Sequence, residues 1–446
     1  MNRSRICILA LFFFPLFASP VTARTVVTLS LEEAVQRALE QSIHLQKSSL
    51  DLAQAGYSAS RLWSEIFPGF SLNAGFTFLP STPLFTDPGF SFNGNALSYS
   101  LNFGVSLSLN PSIRSSMRRI ELAYRSQLLS YENARRQLEI QVIKSFLTLA
   151  NRQENIVFLE ERLETARQRL AQDQIAWQSG HLSEIAWLNS QLSLETARYN
   201  LSSARGAYQN ALGEFLAVLG MENETDVIFS GTIEITPVLF DAEQLILEHL
   251  PKRPDIISQR QTIERLELSR NVTAHSIRSP TLEFGTQWRG GSPVSGPRGG
   301  LSDPFADNIT GSVSLRIPID SWIPGTRQNQ TIRAATTELE KAKLDLQNTK
   351  TNAKTQIRSL ILNLGNTWES LEIARLRMQI AQRTVEATEV GFLNGVVGHQ
   401  ELEDRRNDLS DARQRLLQGE LTYQSLILDL AAALNVDWKT LARGLP

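Results

Sequence analysis

Five histidines, His44, His181, His249, His275 and His399, are the side chains best suited to bind a metal or move a proton near neutral pH. No two of them share the close helical spacing of an HExxH site, so they read as isolated surface residues rather than ligands. Cys7 is the only cysteine, which leaves the rest of the chain without disulfides, thiol catalysis or cysteine metal clusters. Gly290, Gly291, Gly299 and Gly300 could cradle a phosphate only with a Gly-Lys-Ser/Thr ending and a helix directly after. Neither follows, and the stretch reads as a flexible external loop. No nucleophile and base can be paired. The expectation is a protein that is not an enzyme and has no metal and no cofactor. Two carboxylates, Glu401 and Asp404, stand three residues apart in what reads as the first turn of a helix, where acids complement the helix dipole.

The N-terminal residues point to export. Arg3 and Arg5 precede an apolar run from Ile6 to Phe17, and Val21-Thr22-Ala23 offers small residues for cleavage, which predicts a signal peptide over 1–23. A run of about 12 residues is too short to span a bilayer as a helix. Lipoprotein processing would need a cysteine at the cleavage point, and none is there. The remaining 42 Lys+Arg and 46 Asp+Glu exclude a nucleic-acid binder by charge. No later segment is apolar for long enough to make a transmembrane helix.

The chain is written twice. Gln141-Val142 through Asn151 matches Gln356-Ile357 through Asn366 at an offset of 215, and Leu194, Ala197, Leu201 and Tyr208 fall on Leu409, Ala412, Leu416 and Tyr423. Gly180 falls on Gly395. Each copy orders helix, strand, strand, helix, helix. The first copy occupies 24–221, with strands near 69–79 and 96–110 and long helices 112–178 and 183–220. A linker, 222–254, leads to the second copy at 255–434, with strands near 281–289 and 308–319, helices 326–393 and 399–434, and a tail, 435–446. Ser30 and Glu33 form a capping box for the opening helix. Ser112 to Thr236 and Gly325 to Leu445 contain no proline, the residue a helix interior tolerates least. Apolar residues there step by 3 and 4, as in a coiled coil, and their Glu, Lys and Arg residues read as solvated faces.

Leu97, Tyr99, Leu101, Phe103, Val105, Leu107 and Leu109 alternate with Ser98, Ser100, Asn102, Gly104, Ser106 and Ser108, the period of a strand. Three further segments repeat this alternation at the length of a transmembrane strand, with one face for lipid and one for a lumen. Backbone groups in hydrocarbon cannot stay unpaired, and four strands cannot close a barrel. The chain must then oligomerise, with eight strands in a dimer or twelve in a trimer. The competing reading is a periplasmic coiled-coil structural or adaptor protein that never inserts.

Leu29-Ser30-Leu31-Glu32-Glu33-Ala34, Arg253-Pro254-Asp255-Ile256, the two strand pairs and the glycine turns together make the chain resemble the outer membrane efflux protein family typified by TolC. That resemblance implies a mainly α fold with a transmembrane β part: a homotrimer in outer-membrane lipid, a twelve-stranded barrel on a periplasmic helical tunnel. It implies a passive exit duct of a tripartite efflux or type I secretion system, partnered by a periplasmic adaptor (membrane fusion) protein and an inner-membrane RND or ABC-type pump. Drugs, metal ions or polypeptides all remain possible cargo. The turns Ser179-Gly180-His181 and Asn394-Gly395-Val396 would meet the adaptor, although the valine of the family's Val-Gly motif is replaced in both. Glu401 and Asp404 match the aspartates that ring the closed entrance. Val397 and Ala186 stand where that family's typical member has arginine and aspartate, so its latch does not carry over.

Overall fold

A computed structural model describes residues 26–79, 83–86, 89–92, 96–221, 226–230, 236–237, 240–293, 308–319 and 322–442. The expected signal peptide, part of the linker and the end of the C-terminal tail lie outside them, as do Gly299 and Gly300. In chain order the first elements are β1 (Val26–Ser30), α1 (Leu31–Gln41), α2 (Ile43–Ser60), β2 (Gly69–Leu79), β3 (Pro83–Thr86), β4 (Gly89–Phe92), β5 (Ala96–Leu109), α3 (Ser112–Gln178), α4 (Glu184–Val218) and β6 (Asp226–Ser230). There follow α5 (Ala242–His249), α6 (Pro254–Arg278), β7 (Thr281–Pro293), β8 (Asn308–Arg316), α7 (Arg327–Leu393), α8 (His399–Leu434) and α9 (Trp438–Ala442). Short 3-10 turns, Leu62–Ile66 and Leu250–Lys252, precede β2 and α6. The chain forms two compact units, Met1–Glu40 with Ser145–Thr232, and Gln41–Lys144 with Ile233–Pro446.

In the first unit, β1 and β6 pair in parallel from Val26↔Asp226 to Ser30↔Ser230. The expected capping box forms at the end of β1: the Ser30 N–H donates to Glu33 Oε2 at 3.1 Å and the Glu33 N–H to Ser30 Oγ at 3.3 Å. The Ser30 backbone bond, helped by its hydroxyl, holds the Glu33 carboxyl below its ordinary pKa. Leu163 of α3 packs with Leu194, Ala197 and Leu201 of α4, all buried at the 3-and-4 spacing of a helical seam. Phe229 on β6 sits edge-on to Phe146, with centroids 5.1 Å apart.

In the second unit, the opening helical stretch is interrupted. Ser42 lies between α1 and α2 in an extended conformation and caps α2, its hydroxyl accepting from the Leu45 N–H. The core here joins α5, α7, α8 and α9 through Ile246, Ile357, Leu364, Tyr423, Leu430 and Leu441. Gly419 permits a close seam: a Cβ there would stand 3.3 Å from Leu371 Cδ1. α3 and α7 each contain 67 residues, about 100 Å of helix at 1.5 Å per residue. None of the described helices is long and apolar enough to cross a membrane.

The same unit contains a four-stranded antiparallel sheet in the order β2-β5-β7-β8. Its register places Phe103 between Leu72 and Trp288, and Leu107 beside Phe284. β7 continues to Pro293 because β5 supplies partners that far, with Ser98 opposite Pro293. β3 and β4 form a separate antiparallel pair.

One buried cation ties the second unit together. Arg253, on the residue before α6, donates from Nε and Nη2 to the two carboxylate oxygens of Asp255 at 3.0 and 2.7 Å. It also donates to the Ala433 carbonyl at 2.9 Å and to Gln356 Oε1 at 3.0 Å. One guanidinium thus fixes the start of α6 against α7 and the end of α8. A lysine has no planar fork with which to do the same. Arg253→Ala should cost about 2 kcal/mol in denaturant unfolding, because it leaves the Ala433 carbonyl and Gln356 without their donor, while the half-exposed Asp255 carboxylate can turn to water. Arg358→Ala, which removes an exposed pair with Glu243, should cost below about 1 kcal/mol. Equal losses in the two variants would contradict the clamp.

Candidate functional site

The site begins with the two faces of the sheet. Alternation and register together place Leu101, Phe103, Val105, Leu107 and Leu109 of β5 on one face with Phe70 and Leu72 of β2, Leu282 and Phe284 of β7, and Val313 and Leu315 of β8. Leu97 and Tyr99 belong to the same alternation, but their side chains lie outside the described residues. The opposite face carries Ser71, Asn73, Asn102, Ser106, Gln287 and Ser312. Arg289 Nε reaches Asn102 Oδ1 on this polar side at 3.2 Å. The apolar face is uncovered, with Phe76 81% and Val313 70% exposed. An exposed apolar patch that spans four strands marks a membrane or a partner surface. In this sheet β2 and β8 each have one neighbour, so their outer edges present unpaired N–H and C=O groups.

The two glycine turns share one construction. After α3, the Gly180 N–H bonds Trp177 O at 2.9 Å and the His181 N–H bonds Ala176 O at 2.8 Å. After α7, the Gly395 N–H bonds Phe392 O at 3.0 Å and the Val396 N–H bonds Gly391 O at 2.9 Å. Each glycine is left-handed, with φ of 78° and 71°, as the residue that ends a helix in a Schellman motif must be. All six turn residues, Ser179, Gly180, His181, Asn394, Gly395 and Val396, are exposed.

The flanks of the turns differ. Trp177 and Trp187 stack 4.6 Å apart and 7° from parallel. One step below them, Ser190 donates to the Asp173 carboxylate, which also lies 3.8 Å from Arg169. The second turn has Glu389 and Arg406 joined at 2.6 Å across α7 and α8. Here Gly391 matters for space, since a Cβ would come within 2.7 Å of Val397 Cγ2. The 3-and-4 periodicity that runs through Ile156, Leu159 and Leu163 reaches Trp177 at the helix seam but does not point to Trp187, its partner ten residues on, and nothing in the sequence marks Gly391.

Glu401 and Asp404 project from the first turns of α8 and are exposed, whereas Leu402 between them is buried. Asp404 accepts from Gln400 Nε2 at 3.2 Å. Glu401 lies 3.8 Å from Arg405, and the same guanidinium reaches Asp408 at 3.2 Å. The carboxylates therefore stand in a strip of alternating charge rather than a purely acidic one. No group of His, Cys, Asp and Glu among the described residues could hold a metal ion.

The sequence profile of outer membrane efflux proteins matches residues 34–221 and 245–436. The chain belongs to the outer membrane efflux protein family. As a member, it is a subunit of an efflux channel. The two matched stretches run through the first and second long-helix pairs in turn. Comparison with curated proteins finds no match. Among solved structures, the fold is similar to the CmeC outer membrane channel of Campylobacter jejuni, with TM-score 0.74, 17% identity, and coverage of 93% of this chain and 88% of that one. It is also similar to the outer membrane protein VceC of Vibrio cholerae, with TM-score 0.67, 15% identity, and coverage of 92% and 96%. The MtrE outer membrane channel of Neisseria gonorrhoeae, crystallised in an open state, gives TM-score 0.66, 15% identity, and coverage of 91% and 89%.

The turn glycines of this efflux family member need backbone freedom, since neither has an atom within 4 Å of an added Cβ. Gly180→Val and Gly395→Val should each cost about 1–2 kcal/mol in thermal unfolding, the penalty of a left-handed branched residue. The asparagine variants should lose much less. Equal stability of valine and glycine at either site would show that the left-handed conformation is not required.

Proposed function

We propose that three copies of the chain form one outer-membrane duct, a twelve-stranded barrel continued by the paired long helices as a periplasmic tunnel. It serves as the passive exit of a tripartite efflux or type I secretion system. The four-stranded sheet carries this reading: one face apolar and uncovered, one polar, and two edges unpaired. Hydrocarbon allows such a sheet only inside a closed barrel. Closure pairs β8 of one copy with β2 of the next, and the polar face then lines the lumen. Export through a signal peptide over 1–23 places the chain in the right compartment.

The repeat boundaries drawn from the sequence, 24–221 and 255–434 around a linker at 222–254, then describe two equivalent helix-strand units within each subunit. The exposed turns at Gly180 and Gly395 are the surfaces offered to a periplasmic adaptor, which couples the duct to an inner-membrane RND or ABC-type pump. Val396 and its neighbour Leu393 are over four-fifths exposed, so the second turn offers an apolar contact and the first a polar one, at His181. Three copies of Glu401 and Asp404 would ring a narrow entrance and attract cations. The neighbouring Arg405 offsets part of that field.

Membrane fractionation tests the assembly. Recovery in the outer membrane as a detergent-stable trimer that makes bilayers conductive is expected, and release by osmotic shock as a monomer would refute the duct. In bilayer recordings Glu401→Gln with Asp404→Asn should lower cation preference, and Arg405→Gln should raise it. Unchanged selectivity in the double variant removes the entrance role. Photocrosslinkers at Ser179 and Asn394 should capture the adaptor in cells, and their failure to do so at both positions counts against these turns as its contact.

A further inference from the structure

The register puts Gly69, Leu109, Thr281 and Arg316 at one end of the sheet, where all four strands pass into helices. Both open edges carry amphipathic groups at this end. Before β2, Trp63 stands edge-on to Phe67 at 5.2 Å, and Phe67 lies 5.9 Å from Phe70, continuing onto the apolar face. After β8, Ile319 and Trp322 are 72% and 66% exposed. Tryptophan with one apolar and one polar side suits the level of lipid headgroups. Pairing β8 with the β2 of a neighbouring copy would bring these two clusters together into one belt.

A cation sits within this belt with no carboxylate paired to it among the described residues. The Arg278 guanidinium, at the end of α6, lies 5.7 Å over the Trp322 ring. Its Nε is buried and has no hydrogen-bond partner among the described residues. A buried donor left unmet is costly, which makes it a ready donor to an incoming oxygen. Arg327, after β8, is exposed, and Arg61, after α2, lies 4.4 Å from the Tyr57 ring, whereas Arg316 alternates with Leu315 onto the polar face. The acids nearby are Glu65, exposed, and Glu283, which accepts from Ser314 at 3.4 Å. Cations outnumber acids among the described residues of this rim, the complement of a phosphate layer.

We propose that the helix-side rim of the sheet binds an anionic phospholipid, its phosphate on the Arg278 guanidinium beside Trp322 and its chains along Ile317 and Ile319. Guanidinium presents a planar pair of donors that fits two phosphate oxygens. The apolar flank selects a lipid over a free anion, which would gain nothing from exposed isoleucines. The site rests on the membrane placement proposed above and adds to it a fixed depth and a lipid preference.

The purified oligomer can be reconstituted into phosphatidylcholine vesicles and into vesicles with about a quarter phosphatidylglycerol, then extracted gently for native mass spectrometry. Phosphatidylglycerol is expected to be retained over phosphatidylcholine, and Arg278→Gln is expected to reduce that retention about five-fold, the factor that about 1 kcal/mol per surface cation represents. Trp322→Leu, at an exposed position, serves as the second variant and should also lower retention. Excess inorganic phosphate should leave the lipid in place. Wild-type protein that inserts and conducts but shows no preference, or an Arg278→Gln protein with unchanged retention, overturns the lipid site alone. Displacement by inorganic phosphate overturns the lipid as the ligand. Failure to insert in either vesicle overturns the membrane placement and this site with it.

Discussion

The constraint on which the rest depends is the pairing of backbone groups at the outer edges of β2 and β8. Inside the sheet, each strand satisfies its neighbour through unbroken antiparallel register. At the two edges that register meets no further strand among the described residues. Water would satisfy those groups at no great cost, but the apolar face beside them is what water disfavours. A bilayer reverses both terms: it welcomes Phe76 and Val313 and leaves the edge groups unmet. Only further copies of the same edges resolve both demands, which is why the assembly proposed here follows from the sheet before any property of the helices is considered.

Duplication then explains how one chain builds two similar helical hairpins with different tips. The backbone construction is preserved across the offset of 215: the same hydrogen bonds, the same left-handed glycine, the same 67-residue helix before it. Tyr208 and Tyr423 each turn their hydroxyl onto a carbonyl of the segment between the repeats, Val227 and Thr236. What diverged is the packing under each turn. The first copy filled its seam with stacked indoles and with buried Ser190 beside partly buried Asp173 and Arg169. The second used small Gly391 and buried Leu402 and moved its charge to the Glu389–Arg406 pair. Conserved backbone with divergent flanks is the expected outcome when geometry is constrained by the fold and contact chemistry is set separately at each turn.

Much of this was legible in the sequence because the strong signals are local and periodic. Alternation from Leu97 to Leu109 determines a strand and its faces without knowledge of any partner, and proline-free stretches with apolar steps of 3 and 4 determine the long helices. The capping box at Ser30 was readable for the same reason. Elements that depend on distant partners were not. β1 and β6 are five residues each, lie two hundred positions apart and pair in parallel, so neither has a period long enough to notice. The break at Ser42 rests on a single hydroxyl cap within an otherwise helical pattern. β7 extends through Gly290 and Gly291, poor strand formers ordered by the length of β5 opposite them. The role of Arg253 was likewise hidden, because its partners come from three separate helices. Glu401 and Asp404 were found by family resemblance, and their charge environment emerged only when Arg405 was placed one helical turn away.

This pattern of charge bears on how a passive conduit of the proposed kind would discriminate. Most of the ion pairs among the described residues join side chains three or four positions apart along a helix, as at Glu195 and Arg198 or Glu338 and Lys341, both exposed. Such pairs contribute little individually and are screened by salt. In a symmetric assembly, however, any side chain that faces the axis is repeated at the same height, and its field is concentrated within a Debye length. The consequence is that selectivity in the proposed duct would depend on a few levels where an unbalanced charge recurs around the pore. In that proposed assembly the strip from Glu401 to Asp408 would be such a level, and Arg405 would set how much of its acidity an arriving ion experiences.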